Sequence, residues 1–180
     1  MRGATDIKSK TADWWSAAKN NKLFRNGLLG ASAIAMLDQI SKFIIVHHVN
    51  LPERRQIDIS GIFDLTYVQN FGASFGMLAG GMGSRILLSL ISTGVAIGLA
   101  IWLGRLTRPV GATGIAFVIG GALGNLYDRI AYGYVVDFLD FSGLHFPWVF
   151  NVADMAINVG VAFLLLDAWQ TRNLEDPTEK

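Results

Sequence analysis

Four separated apolar runs, each long enough to cross a bilayer, constrain this chain more than any other feature. A hydrocarbon core about 30 Å thick needs roughly 20 helical residues to span it. The runs cover about Asn26 to Val46, Arg85 to Leu103, Val110 to Tyr127 and Val149 to Trp169. Composition agrees: 16% of the 180 residues are charged and 52% are hydrophobic, where a soluble domain is about one quarter charged. The fold expected is therefore an all-α membrane protein with four transmembrane helices. Ala31-Ser32-Ala33 resembles a cleavage site, but it precedes most of its apolar run rather than following it, so the first helix reads as retained.

Charge placement orients the spans. Arg2, Lys8, Lys10, Lys19, Lys22 and Arg25 precede the first run, and Arg105 and Arg108 occupy the short second connection. Arg172 and Lys180 follow the fourth run, while the first and third connections are poorer in basic residues. Basic residues concentrate on the cytoplasmic side, so both termini are expected there and the two larger loops outside. Trp14, Trp15 and Phe24 suit a lead held at the membrane surface, and a disordered lead fits equally well. In the first outer loop, Gln56–Ile59 and Ile62–Val68 partly alternate apolar and polar residues around Ser60-Gly61, which predicts a small hairpin or sheet. The glycine-rich stretch from Asn70 to Gly83 follows as a tight or mobile segment.

With the helices oriented, polar residues gather at one level. Asp38 lies about 18 Å along the outward-running first helix, with Ser41 and Lys42 on its face. Asn125, Asp128 and Arg129 end the third helix, Asn151 and Asp154 begin the fourth with Asn158 continuing their stripe, and Asp137 and Asp140 lie in the loop between. Ionisable groups in a membrane segment are costly and mark function or packing. Asp38 with Lys42 fits an ion pair that fixes packing as well as a site; Asp128-Arg129 fits a structural helix end, and Asn125 and Asn151 fit inter-helix ties. The accumulation of several acids and amides at one depth points to a site. Gly120 with Gly124, and Gly94 with Gly98, are spaced for close helix packing.

The chemistry narrows by residue type. Cysteine is absent, so disulfides and thiolate chemistry are excluded. His47, His48 and His145 form no metal-binding motif, and no metal or cofactor is expected. Gly72-Ala73-Ser74-Phe75-Gly76 matches a nucleophile elbow, but that motif needs a strand before it, a helix after it and a nearby base, and only His145 is placed to serve. Two carboxyls sharing a proton fit better: one activates water, and the other polarises a carbonyl and protonates the leaving amine. A carboxylate-coupled transporter or proton relay through Asp38, Asp128 and Asp154, and a structural assembly factor, are the rival readings.

Five blocks in order then resemble the lipoprotein signal peptidase family, signal peptidase II: Asp38-Gln39-Ile40-Ser41-Lys42; Asn70-Phe71-Gly72-Ala73-Ser74-Phe75-Gly76; Gly120-Gly121-Ala122-Leu123-Gly124-Asn125-Leu126-Tyr127-Asp128-Arg129; Val135-Val136-Asp137-Phe138; and Phe150-Asn151-Val152-Ala153-Asp154. The resemblance implies an intramembrane aspartic endopeptidase of prolipoproteins that cuts before a diacylglyceryl-modified cysteine. It implies Asp137 and Asp154 as the catalytic pair, Asn70, Asn125, Arg129 and Asn151 as residues lining or bracing the site, and Asp38 and Lys42 as helix braces. A small outer sheet, lipid-modified prolipoprotein substrates, contact with membrane lipid, sensitivity to the cyclic peptide globomycin and a monomeric state are also expected; nucleic acid is not. Residues 26–170 form the expected peptidase domain, flanked by a cytoplasmic lead at 1–25 and a tail at 171–180. Ser74 and Met155 depart from the family's common alanine and serine, and neither is a carboxylate.

Overall fold

The computed structural model describes residues 2–72 and 81–175. Its helices are α1 (Arg2–Asn20), α2 (Lys22–Phe43, continued by a π-helical turn over Ile44–His48), α3 (Leu51–Arg54), α4 (Met82–Leu103), α5 (Pro109–Ala131) and α6 (Val152–Glu175). Four strands, β1 (Gln56–Asp58), β2 (Asp64–Asn70), β3 (Val135–Asp140) and β4 (Val149–Phe150), form one antiparallel sheet in chain order. The α2 segment through His48, α4, α5 and the first 21 residues of α6 are each long and apolar enough to cross a membrane.

The central helix is α5, with 61% of its apolar window buried against 11–22% in the other three. Small residues make this possible. A methyl at Gly120 would lie 2.7 Å from the Ala31 carbonyl oxygen, and one at Gly124 would lie 2.6 Å from Asp38 Oδ2. A methyl at Gly121 would collide with the Ala153 carbonyl. Helix backbones that close leave no space for even one carbon, so the α2–α5–α6 register is fixed by sterics. The pair on α4 behaves differently from expectation. Gly94 and Gly98 have nothing within 4 Å of where a side chain would stand. They face outward, and Ala96 is the buried residue between them. Spacing alone did not say which face of α4 meets α5.

The predicted hairpin is present as β1 and β2, paired Gln56 with Thr66 and Asp58 with Asp64. The sheet continues into two strands that had been read as loop and helix. Val135–Asp140 pairs with β2, and Val149–Phe150 pairs with β3. The fourth helix therefore starts at Val152 rather than Val149. Val149 and Phe150 are apolar because they pack a sheet edge, and an apolar run does not distinguish strand from helix over two residues. Ile45, Leu51, Val136 and Phe138 form a small buried core that seats the sheet at one end of the helix bundle.

Candidate active site

Asp137 and Asp154 reach one site from different elements. Asp137 stands on β3, opposite Val68 of β2. The pairing slips between Leu65 and Val68, where two residues of β2 oppose one of β3. Such a bulge bends a strand and re-aims its side chains. Asp154 is the third residue of α6. Its backbone N–H donates to Asn151 Oδ1 at 2.9 Å, and its Oδ2 accepts the Asn151 N–H at 3.3 Å. This reciprocal pair satisfies two donors that a helix start leaves open.

Amides connect the two carboxylates. Asn151 Nδ2 donates to Asp137 Oδ1 at 2.6 Å and to Asn125 Oδ1 at 3.0 Å. Asn125 Nδ2 donates to Asp154 Oδ1 at 2.8 Å. Asn70, at the end of β2, donates to Asp137 Oδ2 at 2.9 Å and accepts the Gly72 N–H at 2.8 Å. Gly72 has φ +82°, and a side chain there would strike Leu88, so a glycine is required to complete that turn. Arg129 is half-buried, within electrostatic range of Asp154, Asp137 and Asp128, and its Nη1 reaches the Asn125 carbonyl at 3.4 Å.

Neither Asp137 nor Asp154 forms an ion pair among the described residues. Asp137 is 2% exposed. Burial pushes its carboxyl up to about 7, and the nearby Asp154 charge adds to the rise against the opposing hydrogen bonds of Asn70 and Asn151. Asp154 is half-buried and lines a pocket of about 300 Å³ with Asn70, Trp148, Phe150, Ile157 and Asn158. One carboxyl thus holds a proton near neutrality while its partner faces an accessible space. Asp140 is different: Thr66 donates to it at 2.6 Å and the Ser142 N–H at 2.9 Å, which hold its carboxyl below the usual range.

Asp38 and Lys42 form a second cluster next to the first. Lys42 Nζ lies 2.7 Å from Asp38 and 2.8 Å from Asp128, all three being buried. Each acid also grips the backbone of another element. Asp38 Oδ1 accepts the Ala153 N–H at 2.9 Å, and Asp128 Oδ2 accepts the Val136 N–H at 3.1 Å. Those are the residues immediately before Asp154 and Asp137. Gln39 was quoted in its motif without a role. Its amide bridges Asp38, Asp128 and the Gly124 carbonyl, at 3.1, 2.9 and 3.2 Å. Its only sequence signal was adjacency to Asp38. Trp148 and Ile157 were likewise missed as pocket-lining residues, since nothing in their spacing separates them from ordinary membrane-facing side chains.

No group of three metal-ligating side chains occurs among the described residues. His47 and His48 pack against Phe43. Ser74 lies outside the described residues. A larger cavity, about 540 Å³, lies on the far side of Gln39, Lys42 and Asp128, lined by Phe43, Tyr127 and Tyr134, and includes neither Asp137 nor Asp154.

Comparison with known proteins agrees with the resemblance. The family model for signal peptidase (SPase) II matches residues 31–170. The lipoprotein signal peptidase of Caulobacter vibrioides is 50% identical over 140 residues, 77% of this chain and 83% of the relative. That of Brevibacillus brevis is 45% identical over 141 residues, covering 77% and 91%. Two solved bacterial membrane enzymes share the fold. One, with TM-score 0.72 and 24% identity, covers 86% of this chain and 94% of its own. The other, with TM-score 0.69 and 27% identity, covers 79% and 92%. With four spans, a small antiparallel sheet and homology over most of its length, this chain is a multi-pass membrane protease that belongs to the signal peptidase II family.

Proposed function

We propose that this chain is an aspartic endopeptidase of the bacterial cytoplasmic membrane that removes signal peptides from prolipoproteins, cutting on the N-terminal side of a diacylglyceryl-modified cysteine. The observation that carries this reading is the pair Asp137 and Asp154. Amides tie the two together, neither forms an ion pair among the described residues, and one of them holds its proton up to about pH 7. The names of the relatives supply the substrate class.

In this reading the pair shares one proton. The ionised carboxylate, Asp154 in the pocket, takes a proton from water as the water oxygen attacks the scissile carbonyl. The protonated one, Asp137, hydrogen-bonds that carbonyl and stabilises the developing oxyanion. Transfer of a proton to the leaving amine then breaks the C–N bond, and the pair is left with one proton again. Asn70, Asn125 and Asn151 hold the carboxyls in place, Arg129 balances their charge, and Asp38 with Lys42 braces the elements beneath. No cofactor takes part. Both termini are cytoplasmic, the pair works near the outer face, the protein acts as a monomer, and globomycin-type peptides compete for the site.

A proton relay has less support. From Gly111 to Gly124 α5 carries no ionisable side chain, and neither does α6 from Met155 to Leu166. The acids at the outer level have no counterparts below them to pass a proton to.

The decisive experiment uses purified protein in detergent with a diacylglyceryl-modified precursor peptide. The parent cleaves before the lipidated cysteine, and Asp137→Asn and Asp154→Asn, still folded by thermal melt, lose at least about 10³-fold in rate. Parent-like cleavage by either variant overturns the pair. Cleavage of an unlipidated peptide at the same rate overturns the substrate assignment.

A further inference from the structure

The family match begins at residue 31, so α1 (Arg2–Asn20) lies outside it. The α1 helix does not continue α2. Asn21 is extended, at φ −77° and ψ 115°, and caps α2 by accepting the Leu23 N–H. Trp14 and Phe24 would be about 15 Å apart along one straight helix, yet their rings are 6.0 Å apart. The chain folds back, and α1 is latched onto the α4–α5 turn. Trp14 Nε1 donates to the Ile101 carbonyl at 3.3 Å, Asn21 Nδ2 donates to the Leu106 carbonyl at 2.8 Å, and Ala18 is fully buried. A side chain at Gly104 would meet Trp14 at 2.7 Å, so the indole sits directly on that turn.

This docking fixes what α1 shows outward. At 100° per residue, Trp14 and Ala18 share the docked face. Ala12, Trp15 and Lys19, spaced 3 and 4 residues apart, form an adjoining stripe. Trp15 is 55% exposed and Lys19 is exposed. Asp13 falls on the other side, about 200° from Trp15. Next to the stripe stand the exposed Lys22, Arg25 and Arg105. None of Lys19, Lys22, Arg25 or Arg105 forms an ion pair among the described residues. Trp102 and Trp169, at the same end of α4 and α6, are also exposed and mark the interface belt at which Trp15 lies.

We propose that α1 lies in the plane of the membrane surface and that its Ala12–Trp15–Lys19 stripe, with Lys22, Arg25 and Arg105, binds the headgroups of anionic phospholipids. An amphipathic helix with Trp and Lys on one face buries the ring among acyl-chain ends and leaves the ammonium groups at phosphate level. Among the described residues these cations have no ion-pair partner, and the surface they fit is anionic. The latch on Gly104 holds the stripe at that depth. This inference rests on the four membrane spans and not on the peptidase reading, and the two fail separately.

The full-length protein in nanodiscs tests it. Spin-labelled phosphatidylglycerol should associate in preference to spin-labelled phosphatidylcholine, the preference falling in 0.5 M salt. Each Lys or Arg near an anionic surface strengthens attraction about fivefold, so Lys19→Gln with Lys22→Gln should lower the preference on the order of tenfold. The chain has no cysteine, so single labels are simple to place. A bimane at Ala12→Cys should be quenched by headgroup-level nitroxide lipid, and one at Ala17→Cys, on the opposite side and exposed, by aqueous iodide. A phosphatidylglycerol preference that the double variant retains overturns the proposal. So does equal iodide quenching at both positions with no lipid preference, which assigns the basic face to a soluble acidic partner instead.

Discussion

Two polar clusters lie side by side at the sheet-bearing end of the bundle, and they are built on opposite principles. In one, Lys42 neutralises Asp38 and Asp128, and every member is buried and paired. In the other, Asp137 and Asp154 are held by amides, with Arg129 in electrostatic range but in no ion pair with either among the described residues. The first arrangement is closed, because both carboxylates are bound by the same buried ammonium group. In the second, Asp137 has its carboxyl pushed up to about 7 by burial. The clusters are also coupled: Asp38 holds the backbone of Ala153 and Asp128 that of Val136. Each lysine-paired acid thereby positions the residue before a member of the proposed catalytic pair. The difference teaches that charge count at a membrane site says little, and that the partner of each carboxylate decides its use.

The largest expected effect comes from the unpaired cluster. Asp154→Asn and Asp137→Asn should each lower the rate of precursor cleavage by about 10³–10⁴-fold, or roughly 4–5 kcal/mol of barrier, with the melting temperature nearly unchanged. Equal losses of stability and activity would erase the contrast between the clusters. Lys42→Met tests the paired side. Two buried carboxylates lose their cation, which should cost about 3–5 kcal/mol of stability, read as a large fall in the detergent melting temperature before any rate is compared. Asn125→Ala cuts the shared member, since Asn125 donates to Asp154 and accepts from Asn151. A loss of about 1–3 kcal/mol, visible in both rate and melting temperature, is the expected outcome.

The smallest and sharpest test is pH. Asp137 is raised from the ordinary 3.8 to about 7, so its proton is retained through the acid range and lost as pH rises through about 7. Above that value Asp137 has lost its proton and the acid partner of the proposed mechanism is gone. The kcat/KM for precursor should therefore fall on the alkaline side of about pH 7, and a rate flat to pH 9 would place the proton elsewhere. The sign for stability is the same. Folding favours the protonated carboxyl, so the penalty for burying its charge grows as pH rises from about 4 and is complete above about 7.

Spans, hairpin and level were legible because bilayer thickness, positive charge and helical rise are long-range regularities that survive without knowing any contact. Asp137 on a strand was not legible. Val135-Val136-Asp137-Phe138-Leu139-Asp140 is buried at nearly every position, so it lacks the alternation that marked β1 and β2. Gly94 and Gly98 failed for a related reason: small-residue spacing identifies a face but not whether anything approaches it. The residue spacing placed acids together, yet only the structure separates Asp38, gripped by Lys42, from Asp154, gripped by none. Gln39 shows the limit most clearly, because bridging two acids on different helices leaves no pattern in either helix alone.

Asn151 begins α6 and also holds Asp137. The start of the fourth membrane helix and the assembly of the carboxyl pair are consequently one event, made by one side chain. As the chain is synthesised, three membrane-spanning helices and all four strands emerge before that side chain and Asp154 do. On the proposed reading, a nascent chain therefore has no complete carboxyl pair until its fourth membrane helix has begun to form.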